Sequence, residues 1–160
     1  MAKATNPIPT GYHSITPSLT CRDAAKAIDF YKIAFEAQEK MRSSTPDGKV
    51  SHAEIKIGDS IVFVNDEFPG MTAGPAATKT PSVNLFLYVP DVDAVYERAI
   101  AAGAHADMPL EDMFWGDRFG KVTDPFGHQW SLATHVEDVA PEEISRRAAA
   151  FFAKAAGQNK

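Results

Sequence analysis

The chain has 160 residues, 44% apolar and 23% charged, which suits a globular protein and is too apolar for a disordered one. A net charge of −5 with no Lys/Arg cluster argues against nucleic acid as a partner. The longest apolar runs are too short to span a bilayer, and the single cysteine, Cys21, excludes an internal disulfide framework and a Cys-rich metal site.

Residues 1–11 read as a leader with Pro7, Pro9 and Gly11 but no apolar signal segment, so the expected location is the cytoplasm, with no membrane partner. His13 to Cys21 alternates, with Ile15, Pro17, Leu19 and Cys21 on one face and Thr16, Ser18 and Thr20 on the other. That predicts a strand packed on one side, with Pro17 at an edge or bulge. Asp23 suits an N-cap, and Ala24, Ala27, Ile28, Tyr31 and Phe35 at helical spacing predict a helix over 23–35. A weak strand over 37–45 and the turn Pro46-Asp47-Gly48 follow. Ser51 to Ile57 alternates again, setting His52, Glu54 and Lys56 against Ala53, Ile55 and Ile57, and Gly58-Asp59 makes a hairpin into Ser60 to Asn65. Residues 12–66 thus read as one β-α-β-β-β module.

A Pro/Gly-rich linker over 67–81 precedes a second module over 82–137. Ser82 to Val89 is an apolar strand, and Asp91 caps a helix stopped by Gly103. Two strands lead over 104–111 and to Thr123. Asp124-Pro125-Phe126-Gly127 is a turn, and Gln129 to Thr134 is the last strand. A shift of 68 residues lays Leu19 on Leu87, Asp23 on Asp91 and Phe63 on Ser131, an internal duplication. Residues 138–160 hold a final helix opened by Pro141 and a tail. Its apolar stripe of Ile144, Ala148, Phe151, Phe152 and Ala155 is expected to pack on the body or on a second subunit.

Four stretches carry a family resemblance. The run Asp23-Ala24-Ala25-Lys26-Ala27-Ile28-Asp29-Phe30-Tyr31 resembles the first helix of the vicinal-oxygen-chelate superfamily, which includes glyoxalases, bleomycin-resistance proteins and extradiol dioxygenases. Asp124-Pro125-Phe126-Gly127-His128-Gln129-Trp130 resembles the hairpin before its last strand. His52 to Ser60 and Phe114 to Asp124 are similar to its PhnB-like branch. The resemblance spans about residues 12–137. It implies an α+β fold of two βαβββ modules forming a curved, cup-shaped mixed sheet, a homodimer, and a small organic molecule bound inside the cup.

Metal-dependent members place His and Glu on the first and last strands of each module. The matching positions here are Thr16, Phe63, Asn84 and Ser131. Phe63 has no donor, and three neutral oxygen donors hold a transition-metal ion poorly, so no metal is expected. This departure counts against metal-dependent glyoxalase and ring-cleaving activity, and leaves ligand sequestration or metal-free transformation as the expected function.

Alternation places Thr16, Ser18, Ile61, Phe63, Asn65, Asn84, Phe86, Tyr88, Gln129 and Ser131 on the concave side. This aromatic, neutral-polar lining suits an uncharged or planar organic ligand. Trp115 and Arg118 lie on a Gly-flanked loop, where Trp115 is placed to stack on a ring and Arg118 to clamp an anion or pair with an acid such as Asp117. His52 and Glu54 share a strand face, as a general acid/base pair or as a solvated surface. A rival reading is a metal-dependent lyase, isomerase or dioxygenase in which His52, Glu54 and His128 meet in space. A third is an interaction module using the C-terminal helix. Asp124 reads as the anchor of its own turn, and Cys21 as a buried inert thiol. No phosphate loop, dinucleotide-binding glycine pattern or serine elbow is present.

Overall fold

The computed structural model describes residues 7–75, 81 and 83–157. In chain order the elements are β1 (Ser18–Cys21), α1 (Ala24–Phe35), β2 (Gln38–Ser44), β3 (Val50–Ile57), β4 (Ser60–Asp66), β5 (Asn84–Tyr88), α2 (Val92–Ala101), β6 (His105–Asp112), β7 (Asp117–Thr123), β8 (Gln129–His135) and α3 (Pro141–Gly157). The expected β-α-β-β-β order therefore occurs twice, and the C-terminal helix follows it. Two four-stranded sheets result, ordered β1-β4-β3-β2 and β5-β8-β7-β6, each with one parallel pair and two antiparallel pairs.

The duplication extends to individual hydrogen bonds. Asp23 accepts from the Lys26 amide and Asp91 from the Ala94 amide, both at 3.1 Å, so each helix starts on the same cap. The first amide of α1, Ala24 N–H, donates to Asp66 Oδ1, and that of α2, Val92 N–H, donates to Thr134 Oγ1, each at 2.8 Å. All four positions are related by the 68-residue shift. The parallel registers agree as well, since Ser18 pairs with Phe63 and Phe86 with Ser131.

The first strand is shorter than the alternation predicts. Pro17 cannot donate to a ladder, and β1 begins only after it, although Pro17 O still accepts from Phe63 N–H at 2.9 Å. Ile15, expected on the packed face, is 85% exposed because the chain has already left the sheet there. The expected strand start at Ser82, part of the linker and the stripe residues Phe152 and Ala155 lie outside the described residues or side chains.

Each sheet turns one face toward the helices. Leu19, Cys21, Ala53, Ile55, Val62 and Val64 bury that face in the first module, and Val122, Trp130 and Leu132 in the second. Helix α1 supplies Ala24, Ala27, Ile28, Tyr31 and Phe35. The modules join through this layer. Phe35 packs on Trp130 with ring centroids 4.6 Å apart, and buried Asp124 accepts from Tyr31 Oη at 2.7 Å and Trp130 Nε1 at 3.0 Å. Asp124 also accepts from the Phe126 and His128 amides at 2.9 Å, the turn-anchoring role expected of it. Among the described residues, no helix is long and apolar enough to cross a membrane.

Candidate functional site

The open faces of the two sheets carry different chemistry. On the second module, aromatic rings run in contact from β5 to α3. Tyr88 meets Phe86 at 4.9 Å, Phe86 stacks on Phe119 at 5.7 Å, and Phe119 meets the edge of Trp115 at 5.5 Å. Trp115 then meets Phe114 at 4.9 Å, and Phe114 reaches Phe151 on the helix at 5.3 Å. Phe86 and Tyr88 remain 51% and 59% exposed.

Asp117 fixes this surface from behind. It is 2% exposed, and its Oδ2 accepts from Tyr88 Oη and Trp115 Nε1, both at 2.9 Å. Its Oδ1 faces His135 Nδ1 at 2.8 Å, and His135 Nε2 reaches Asp138 at 3.0 Å. The hydrogen bond to Asp117 raises the Tyr88 phenol above its ordinary pKa, and Asp117, then Asp138, raise that of His135. The loop before Asp117 requires Gly116. Its φ is +100°, and a Cβ there would lie 2.1 Å from Glu137 O.

The four positions at which the resemblance places metal ligands hold other partners. Asn84 Nδ2 donates to Ser131 Oγ at 2.9 Å, and the Ser131 backbone amide donates to Asn84 Oδ1 at 3.1 Å, so both ends of the Asn84 amide are engaged by Ser131. Phe63, with no donor atom, packs between the edge of His52 at 4.8 Å and the Tyr12 ring at 6.1 Å. Thr16 stands just before β1. Phe, Thr, Asn and Ser do not fit a divalent transition-metal site, which takes imidazole, carboxylate or thiolate ligands. Among the described residues, no group of three or more His, Cys, Asp or Glu is placed to hold a metal ion.

The structure brings Phe86, Tyr88 and Trp115 together over Asp117, and joins Asn84 to Ser131 beside them. Gln129 lies at the start of β8, with its amide donating to Asp107 Oδ2 at 3.3 Å. Arg118 lies apart from these residues. Alternation along β7 turns it to the helix side, where it chelates Asp93 of α2 at 2.6 and 2.7 Å and reaches Asp112 at 3.2 Å. These carboxylates occupy its guanidinium and hold it well above its ordinary pKa. The acid it pairs with is thus not Asp117.

His52 and Glu54 do meet, with Nε2 to Oε1 at 3.3 Å, and Tyr12 Oη donates to the other carboxylate oxygen. His128 does not join them. Its Nε2 lies 3.1 Å from Thr20 O and 3.7 Å from the buried Cys21 Sγ. Burial raises that thiol to about 12, consistent with an inert core cysteine. Neither Tyr12 nor the role of Asp117 under the aromatic row is legible in the sequence. The first precedes any periodic segment, and the second depends on the face parity of β7.

A cavity of about 640 Å³ opens in the seam between the sheets, lined among others by Thr16, Ile61, Phe86 and Tyr88. It draws residues from both modules.

Comparison with known proteins agrees with this architecture. The family model for the Glyoxalase/Bleomycin resistance protein/Dioxygenase superfamily matches residues 11–132. An uncharacterized protein of Mycobacterium tuberculosis (strain H37Rv) is 47% identical over 135 residues, covering 82% of this chain and 79% of its own. Among solved structures, TioX from Micromonospora sp. ML1 superposes with a TM-score of 0.63 at 29% identity, over 78% of this chain and 99% of its own. A PhnB protein from Bacillus cereus superposes with a TM-score of 0.62 at 22% identity, over 76% and 99%, a likeness of fold alone.

Proposed function

The chain belongs to the glyoxalase/bleomycin resistance protein/dioxygenase superfamily, and from that premise we propose that it binds a small planar organic molecule against the aromatic face of its second module. Binding would proceed without the family's divalent cation, and the working form would be a cytoplasmic homodimer. The observation that carries this reading is the row Tyr88–Phe86–Phe119–Trp115, held by a buried carboxylate while two of its rings stay about half exposed. Exposed aromatic surface is costly in water, and a buried acid that orients it removes the rotamer freedom that binding would otherwise have to quench. Offset stacking then supplies orientation, and the seam cavity has a volume suited to a small organic ligand.

Tryptophan fluorescence provides the test. Trp115 stands in the aromatic row, whereas Trp130, packed on Tyr31 and Phe35, lines the seam cavity, so Trp115→Phe separates a ligand on the row from one confined to the cavity. A panel of planar heteroaromatics (quinoline and acridine carboxylates) is expected to give saturable quenching that disappears in Trp115→Phe. Phe86→Ala should weaken binding roughly tenfold, the loss of one stacked ring. Absence of saturable quenching across the panel, or an unaffected Phe86→Ala variant, overturns the reading. Light scattering checks the assembly. A mass of twice 17.3 kDa is expected, and a mass equal to one chain at all concentrations removes the homodimer.

A further inference from the structure

The open face of the first module has its own cavity, of about 400 Å³, between the N-terminal segment and the sheet. Its walls include Pro7, Pro9, Tyr12, His13 and Phe63, and Glu54 lies among them. Glu54 is mostly buried, at 18% side-chain exposure, and its partners are the Tyr12 hydroxyl and the His52 ring. Several carboxylates nearer the surface are matched by permanent cations. Glu39 has Lys32 and Arg42, Asp93 has Arg118, Glu36 has Arg98, and Glu137 and Glu143 share Arg147. The buried Asp66, Asp117 and Asp124 are each satisfied by two or more amide, phenol, indole or imidazole groups. Among the described residues, no Lys or Arg pairs with Glu54. Lys56, the next residue on that face, instead lines a different cavity beside Glu36 and Gln38.

Glu54 differs from those buried acids in facing a cavity, where a carboxylate screened from water attracts a cation that can enter. The surrounding walls are those that favour a cation bearing carbon. The rings of Tyr12 and Phe63 and the prolines offer apolar contact, and among the described residues no Lys or Arg lines the cavity. We propose that this cavity binds a small organic ammonium ion, paired with Glu54 and covered by the rings of Tyr12 and Phe63. Tyr12 and His52 then hold the carboxylate in place. This site uses the first module and does not rest on the function proposed for the second.

Calorimetric titration of the full chain with benzylammonium and with benzyl alcohol separates charge from shape. The ammonium is expected to bind at least about tenfold more tightly than the alcohol, the effect of one ion pair supported by cation–π contact. In Glu54→Gln that preference should vanish, and Phe63→Leu should weaken the ammonium several-fold. Equal affinity for the two probes, no binding of the ammonium to the unmodified chain, or a preference that survives Glu54→Gln overturns the proposal. Circular dichroism verifies that the variant folds, and where it does not, the two-probe comparison on the unmodified chain decides alone.

Discussion

Replacement of Asp117 by alanine removes three hydrogen bonds at once. The donors are Tyr88 Oη and Trp115 Nε1 at 2.9 Å and His135 Nδ1 at 2.8 Å, around a carboxylate that is 2% exposed. Their losses are unequal. Tyr88 and His135 keep access to water and find new partners there. The indole N–H of Trp115, half-buried between Phe114 and Phe119, is left dry, and a stranded donor costs about 1–3 kcal/mol. With about 1 kcal/mol more for the other two bonds together, the expected loss is about 2–4 kcal/mol. For a domain of this size that lowers Tm by roughly 5–15 °C. Asp117→Asn behaves differently. Its amide oxygen still accepts from Trp115 and Tyr88, and its NH₂ donates to a neutral His135 Nδ1, so less than half the loss should appear. Urea unfolding followed by far-ultraviolet circular dichroism measures both variants. An alanine variant within about 0.5 kcal/mol of the parent, the range of an ordinary surface substitution, refutes the assignment of Asp117 as the support of the aromatic face. So does an asparagine variant as unstable as the alanine one.

Asp117 and Asp138 raise the pKa of His135 above its ordinary 6.5, so the folded chain binds that proton more tightly than the unfolded chain. The stabilisation is therefore complete below about pH 6.5 and fades as pH rises through the raised value. Urea midpoints should fall across this range more in the parent than in His135→Gln, and parallel curves refute the coupling. Tyr31→Phe deletes the 2.7 Å bond from a buried phenol to Asp124 and is expected to cost about 1–2 kcal/mol in thermal unfolding. No change would show that Asp124 does not link the modules. Cys21, with its thiol raised to about 12 by burial, should resist an aromatic disulfide reagent in the native state and react only at the rate of unfolding. Rapid native labelling would contradict its placement in the core.

The duplicated scaffold is legible in the sequence because its signals are local. Asp23 and Asp91 announce helix starts, and alternation around Gly58-Asp59 sets a hairpin in which Ile57 pairs with Ser60. The shift of 68 that aligns these landmarks also predicts the parallel registers. The antiparallel ladder of the second module departs from it. Glu54 pairs with Phe63, but Lys121 rather than Val122 pairs with Ser131, because the Asp124–His128 turn is longer than its counterpart and slips the strand by one residue. A one-residue slip exchanges the faces of a strand. Assigning Asp117 to the aromatic face and Arg118 to α2 therefore required the register itself. Contacts such as Tyr12 with Glu54, or Cys21 with His128, join residues 42 and 107 apart, and local pattern carries no trace of them.

Fastening and display occupy opposite sides of each sheet. Asp66, Thr134 and Asp124 clasp the backbone and the two halves together on the inward side, whereas Tyr12, Glu54, Phe86 and Asp117 furnish the outward one. The copies have kept equivalent clasps yet present an acid under aromatic rings in one and a ribbon of stacked rings in the other. Such a division gives ancestral doubling a ready use: either outward surface is free to drift toward a new guest without unpicking the stitching that keeps the body intact.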